Sequence, residues 1–475
     1  MLDEKFIVRK KVRNKYRIAL VYPSTYKVAI SNLGFRIIYH LLNLDDRIYC
    51  ERFTVESDRS IETGSHLREF DLIMFSYQYE LDLFEIARQI VRLNLFNKPK
   101  IIGGPCTYNP YPLKHFTNYV YIGEAESTLT EFVKGIIDGM GPEDLASLEG
   151  LFISGVSEEV RKTYPRKLNT FLPVLQVSSR RGVLGDSLLL DVSRGCKWSC
   201  LFCLGKSFYA PYRERSLDQL ADAMREGLIK GGYESVALIA SDLSRYSMLD
   251  ELLEIVRELR GGRSFRLIVP SLRADAINEK ILEVIVETGE KTITIAPESC
   301  EKLRYRIGKN FSDETLLQTC ILLKKHGISR VKLYVMFGLP GETMKDLEKT
   351  VKLVKDIKNM GFKVKVSANP FVPKPHTLME GEEFEDLKIL RRKLKLLKKE
   401  LGGMLNTDGI RQAYLQAIIA RGDERIGELI LHVVRKYGEP TLAAIKREAE
   451  RMGISIDNYA KRGSGEKPWK RIRLA

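Results

Sequence analysis

Short apolar runs alternate with amphipathic segments over two long stretches of this chain. In the first, RIALVYP at 17–23, FDLIMFSYQ at 70–78, KIIGGP at 100–105 and YVYIGEAE at 119–126 read as strands. Helical spacing falls at 32–44, at 81–93 and on to about residue 137. Strand followed by helix, repeated, predicts a parallel sheet covered on both faces: a doubly wound domain with its ligand crevice at the carboxyl ends of the strands. In the second stretch, SLLLDVS, SVALIAS, FRLIVPS, TITIAPE, VKLYVMFGLP and VKVSANPFVP are further strands, with helices near 216–230, 247–260, 276–288, 312–325 and 343–359. The expected fold class is therefore α/β. Its divisions are a doubly wound domain at 1–140, a connector at 141–185, a second strand-and-helix domain at 186–380 and a helical basic region at 381–475.

The connector carries FISGVSEEVRKTYPRK, which reads as a hairpin, and FLPVLQVSS, which reads as an edge strand or extended link. In the last region 387–401, 420–438 and 443–453 have amphipathic helical spacing. Residues 381–475 hold 21 Lys and Arg against 14 Asp and Glu, a share of +7 in a formal net charge of +15. Such a balance attracts polyanions, with RNA as the first candidate partner, although charge speaks to attraction and not to reaction. Trp469 stands among cations in the tail KRGSGEKPWKRIRLA, where an aromatic ring can stack on bases while the cations meet phosphate. A solvated tail, or a tail that caps the preceding domain, fits the same residues. No apolar run approaches 18 residues and the amino terminus is polar, so a cytoplasmic protein without an integral membrane segment is expected.

The densest chemistry lies in CKWSCLFC at 196–203, directly after an apolar strand and a glycine. Three cysteines spaced C-x3-C-x2-C can hold three corners of a cubic iron-sulfur cluster and leave the fourth iron open, whereas such clusters are ordinarily held by four thiolates. Structural zinc takes paired C-x2-C sets or histidines, and no second pair follows Cys203. Buried or redox-sensing thiols are the remaining alternative. Cys50, Cys106, Cys300 and Cys320 are scattered singly, a pattern that suits a reducing compartment and no disulfide framework.

This spacing resembles the radical SAM enzymes. The resemblance implies that Cys196, Cys200 and Cys203 ligate a [4Fe-4S] cluster whose open iron takes the amino and carboxylate groups of S-adenosylmethionine. An electron from a donor such as ferredoxin or flavodoxin would then cleave that cofactor to methionine and a 5′-deoxyadenosyl radical. The later strands match the partial (β/α)6 barrel of that family, with its site at the carboxyl strand ends. Carried over residue by residue, Ser241 and Asp242 in IASDLSRY stand where a GGE-like turn meets the methionyl amino group, and Asp242 as a helix cap is the alternative. Arg273 in SLRAD is placed for the methionyl carboxylate, or else for a salt bridge to Asp275. Glu298, closing the strand in APESCEKLR, is placed for the ribose or amino group. Gly338 and Pro340 in MFGLPGET shape a turn whose backbone would meet adenine, before a helix start at Thr343. Arg304, Arg306 and Lys309 could face cofactor or substrate phosphate, or form a solvated basic face. Arg213 or Arg215 could face an anion, and His376 could be an acid or base on the substrate side.

The first domain carries a second resemblance. SYQYE at 76–80, GGPCTYNPYP at 103–112 and GEAE at 123–126 look like the cobalamin-binding domain fused ahead of radical SAM cores. In that reading Ser76, Gly103, Gly104 and Gly123 border the corrin or its nucleotide tail. The D-x-H-x-x-G loop of some members is here AISNLG, with Ser31 in the place of histidine, so no imidazole can ligate cobalt there. A nucleotide-type fold serving only as a docking platform is the alternative. The resemblances together imply a cobalamin-dependent radical SAM methyltransferase acting on an unactivated carbon of RNA, for example tRNA. Cobalamin-independent coupling, sulfur insertion or rearrangement on a lipid or metabolite stays open, as does a noncatalytic RNA-binding protein with a structural metal site.

Overall fold

The computed structural model describes residues 3–461 and 467–474. Residues 462–466 of the basic tail therefore lie outside the described residues. The chain divides into two compact units, one of Met1–Leu188 with Ile418–Ala475 and one of Leu189–Ala417.

In the first unit the order is β1 (Tyr16–Tyr22), α1 (Leu33–Leu42), β2 (Ile48–Thr54), β3 (Leu72–Ser76), α2 (Asp82–Arg92), β4 (Lys100–Gly103), β5 (Tyr119–Tyr121), α3 (Leu129–Ile137) and β6 (Leu151–Ile153). They build one sheet of order β2-β1-β3-β4-β5-β6. The first five strands run parallel and β6 is antiparallel to β5. Ile18, Ala19, Leu20 and Val21 are all buried, as a strand covered on both faces requires. The Asn32 side chain accepts from the Phe35 N–H at 2.9 Å and starts α1. β2 was not among the expected strands because IYCERFT puts charges in mid-strand. Both are buried and paired: Glu51 meets Arg17 at 2.6 Å, and Arg52 meets Glu62 at 2.6 Å and Glu4 at 2.8 Å.

The second unit is entered through β7 (Ser187–Asp191), followed by α4 (Leu217–Glu226), β8 (Ser235–Ile239), α5 (Leu249–Gly262), β9 (Arg266–Ile268), α6 (Glu279–Glu287), β10 (Thr292–Glu298), α7 (Asp313–Lys325), β11 (Arg330–Phe337), α8 (Met344–Asn359), β12 (Lys363–Pro370), α9 (Leu387–Leu401), β13 (Leu405–Asn406) and α10 (Ile410–Ala420). Strands β7-β8-β9 and β10-β11-β12-β13 lie side by side in chain order. A parallel bridge from Leu272 to Ile295 links the two sets. The result is an open arc of strands, each followed by a helix, and it does not close into a barrel among the described residues.

The expected carboxyl-terminal region is divided between the two units. α9 belongs to the second, while α11 (Glu424–Tyr437) packs on α2 and on the 111–113 turn of the first. Asn109 Nδ2 donates to the carbonyls of Ala420 at 3.0 Å and Gly422 at 2.8 Å. The expected hairpin at 152–167 is absent. Its first limb is β6, and Val160–Arg161 instead pairs in parallel with Ile472–Arg473 near the chain end. The extended link pairs at Ser178–Ser179 with Glu4–Lys5. Trp469 is fully buried, so it is a core residue of this unit and offers no ring for base stacking.

Candidate active site

The cysteine loop is fixed from below by its own apolar residues. Leu201 and Phe202 pack on a cluster of Cys300, Leu303, Ile307, Leu339, Phe371 and Met379, drawn from the carboxyl ends of β10, β11 and β12. The Leu201 N–H donates to the Ile307 carbonyl at 2.9 Å. Gly308 has φ +75°, and a Cβ there would stand 2.7 Å from the Ser199 carbonyl oxygen, so this turn must be glycine for the loop to lie against it. Gly195 opens the loop at φ +85°, where a Cβ would stand 2.8 Å from Tyr212 Cα. All three cysteines are partly exposed. Burial pushes the Cys196 and Cys200 thiols up, while the Arg273 charge acts in the opposite sense on both and Lys309 does so on Cys200. Two cations thus border the loop, suited to holding thiolates. Among the described residues no three His, Cys, Asp or Glu side chains converge on a single metal ion. A cubic cluster asks for no such convergence, because each thiolate takes a different corner.

Trp198, inside the loop, ties two strand ends to it. Its indole Nε1–H donates to Asp242. The Arg273 guanidinium lies 3.7 Å from its ring centroid and that of Arg245 lies 4.0 Å away. Asp242 also accepts from the Ser244 N–H at 3.1 Å and the Ser244 hydroxyl at 2.7 Å, so it does cap the short helical turn after β8. Ser241 is exposed beside it. Arg273 holds Asp275 bidentately, with both bonds at 2.9 Å, and keeps Nη1 buried without a hydrogen-bond partner. An orphaned guanidinium nitrogen beside the cysteine loop fits a carboxylate ligand. Glu298 pairs with Lys309 at 2.8 Å, both nearly buried, and has φ +65°, an uncommon conformation for a non-glycine residue that recurs at functional sites.

Other candidates are engaged internally. Arg215 is buried on Asp191 at 2.7 Å, Arg213 bonds the carbonyl of Pro211, and Arg304 bonds those of Pro297, Ser299 and Phe311. The anions that Arg215 and Arg304 meet in the structure are carboxylates of the protein itself, Asp191 at 2.7 Å and Asp313 at 2.8 Å. His376 accepts through its carbonyl from Ser207. Gly338 and Gly341 both have positive φ, and Pro340 lies partly exposed between them. The Gly338 N–H donates to Glu342 at 2.6 Å. Glu342 in turn pairs with the buried Lys393 at 2.9 Å, and burial raises its carboxyl above the usual range. Trp198 and the Glu342–Lys393 pair went unread in the sequence. The indole between two cluster cysteines was the available signal for the first, whereas nothing in the sequence joins residues 342 and 393.

In the first unit the order β2-β1-β3 places a topological switch point between β1 and β3. Asn32, Ser76, Gln78 and Asp82 gather there. Asn32 Nδ2 lies 3.5 Å from both the Gln78 Oε1 and the Tyr22 hydroxyl, and Gln78 Nε2 donates to Ser76 at 2.8 Å. Burial pushes the Asp82 carboxyl up to about 7. Ser31 donates to the Lys27 carbonyl at 3.0 Å. Gly104 and Gly123 face their own chain: a Cβ would stand 2.5 Å from the Tyr77 carbonyl oxygen at the one and 2.0 Å from that of Thr163 at the other. Gly103 has no contact closer than 3.6 Å to such an atom. Gly104 and Gly123 therefore allow close approach of their own backbone, and the polar groups at the switch point are linked to one another.

Residues 190–354, spanning the cysteine loop and the strand ends around it, match the radical SAM superfamily, and residues 34–149 match the amino-terminal domain of radical SAM proteins. An uncharacterized protein of Methanocaldococcus jannaschii is 32% identical over 96% of this chain and 98% of its own length. The chain belongs to the radical SAM superfamily. This radical SAM protein is also 24% identical to the ribosomal protein uS12 methylthiotransferase RimO of a Thermotoga species, over 53% of this chain and 65% of that one. Its fold is similar to that of the radical S-adenosylmethionine methyltransferase TsrM from Kitasatospora setae, solved with cobalamin and a [4Fe-4S] cluster bound. The TM-score is 0.58 at 16% identity, over 77% of each chain. Among the described residues no helix is long and apolar enough to cross a membrane.

Proposed function

We propose that this radical SAM protein is a cobalamin-dependent methyltransferase acting on an unactivated carbon, with RNA, for example tRNA, as the substrate class. The observation that carries the reading is architectural. A doubly wound unit with a polar switch point and an open β/α arc with a three-cysteine loop together follow the fold of TsrM over 77% of both chains. When bound, the cluster and S-adenosylmethionine supply a radical able to take hydrogen from an inert carbon, and cobalamin supplies the methyl group.

The chain's own residues do the positioning. Cys196, Cys200 and Cys203 offer three thiolates and leave one iron corner for the cofactor's methionyl end. Arg273 Nη1, buried without a partner, would hold its carboxylate, with the guanidinium fixed by the Trp198 ring and by Asp275. Glu298, fixed by Lys309, would meet the nucleoside, and the turn held by Gly338 and Glu342 would offer backbone to adenine. In the first unit Asn32 and Gln78, linked to each other, would offer amides to the amide-fringed rim of a corrin, and Ser31 would provide no cobalt ligand. The RNA assignment rests on the +15 net charge, since Trp469 is buried.

The test is anaerobic reconstitution with iron, sulfide and hydroxocobalamin, desalting, and measurement of corrin absorbance against protein. Retention near one corrin per chain supports methyl transfer. An intact cluster without corrin removes cobalamin and favours the second reading, sulfur insertion, which the similarity to a methylthiotransferase supports.

A further inference from the structure

The strands of the second unit show a charge pattern that cofactor binding does not account for. Along β11 and β12 one face is apolar and buried: Val331, Leu333 and Val335 on the first, Val364, Val366 and Ala368 on the second. Helix α8 packs on β12, and Leu347 and Val354 of α8 and Leu316 and Leu323 of α7 are buried. The opposite, inner face of the arc carries Arg330 and Lys332 on β11 and Lys363 and Lys365 on β12. Branched apolar residues dominate the inside of a β/α barrel, so four cations on this face depart from the ordinary pattern.

Their register sharpens the point. Arg330 is paired with Lys363 and Lys332 with Lys365, so like charges stand opposite each other twice in succession. Adjacent strands lie about 4.8 Å apart, and successive residues on one face about 6.7 Å apart. Same-sign neighbours at these spacings repel and cost stability. Among the described residues none of the four has a carboxylate within 4.0 Å. Their contacts are neutral: Arg330 donates to Thr292 Oγ1 at 2.8 Å, Lys332 to the Tyr334 hydroxyl at 3.0 Å and Lys365 to the Gly403 carbonyl at 3.3 Å. Lys332 is half-buried, while Arg330, Lys363 and Lys365 are exposed and can be reached from solvent.

We infer that this cationic quartet on the inner face of β11 and β12 is a binding site for a ligand carrying two adjoining phosphoryl groups. A compact diphosphate matches the charge and the small footprint of two facing pairs, and it replaces repulsion with charge-assisted hydrogen bonds. The Tyr334 hydroxyl, beside Lys332, adds a neutral donor at the edge of the same patch. The inference does not depend on cobalamin or on RNA as the methylated molecule.

The test uses the full chain before cluster reconstitution, with inorganic pyrophosphate as probe and orthophosphate and sodium chloride at matched ionic strength as controls. Wild type should show a pyrophosphate-dependent rise in Tm, half-saturating at a concentration at least about tenfold below that of orthophosphate. The double variant Lys332→Gln/Lys365→Gln should have a higher Tm than wild type without ligand, because repulsion is relieved, and should lose the pyrophosphate response. Lys332→Arg/Lys365→Arg should retain it. The inference is overturned by a wild-type response no larger than that to salt, by equal responses to the two phosphates, by a response that survives the Gln substitutions, or by a ligand-free Tm that falls in the Gln variant.

Discussion

Arg273 shows how one side chain can be structural and yet poised to bind. Its bidentate contact with Asp275 and its stacking on Trp198 fix the guanidinium plane, and the fixed plane leaves Nη1 buried without a partner. An unmet donor of this kind costs about 1–3 kcal/mol unless a ligand satisfies it. Arg273→Lys keeps the charge but loses the planar fork and the stacking. It should weaken S-adenosylmethionine binding to the reconstituted protein by about tenfold or more, read by equilibrium dialysis, with the cluster absorbance unchanged. Unaltered affinity would take Arg273 out of the site. The residue was visible in the sequence as one of two alternatives, carboxylate ligand or partner of Asp275. The structure shows that the second does not exclude the first, because a guanidinium has more donors than one carboxylate can use.

At the scale of elements, the periodic parts of the chain were legible and the interrupted ones were not. The helices expected at 312–325, 343–359 and 387–401 coincide closely with α7, α8 and α9, because each carries an apolar stripe and the first two start on side-chain caps, Ser312 and Thr343. β2 escaped because its buried charges are satisfied by Glu4, Arg17 and Glu62, residues distant in sequence that only the folded chain brings together. The docking of α11 on the first unit was equally hidden. It depends on Gly427, where a Cβ would stand 2.2 Å from the Pro112 carbonyl oxygen. Backbone cannot yield there as a flexible side chain could. Gly427→Ala should therefore destabilise the first unit by about 1–3 kcal/mol, seen as a lower midpoint in denaturant unfolding. An unchanged midpoint would mean that α11 rests more loosely on the 111–113 turn.

At the scale of the whole molecule, the chain leaves the first unit, builds the second and returns, so that residues 418–475 complete the unit begun at the amino terminus. The described residues 467–474 of the basic tail are part of that return: Arg473 pairs with Glu159 and its backbone joins a short ladder, with Trp469 in the core. Trp469→Ala should cost about 3–5 kcal/mol in the unfolding of this unit. At temperatures where the variant is folded, the salt slope of RNA binding should match that of wild type, read by filter binding across a salt series. A shallower slope would restore the tail as an RNA contact. The sequence by itself determined the α/β class, the position of most strands and helices, the three-cysteine loop and the superfamily, because each is written in local spacing: period in the apolar pattern, three thiols within eight residues, glycines at tight turns. Only the tertiary structure decided that Trp469 is core, that Trp198 holds two guanidiniums beside the cysteines, that Gly104 and Gly123 serve their own chain, and that four cations share one sheet face. These are meetings between residues far apart along the chain, and which of them occur is settled by packing and strand register, which local pattern does not encode.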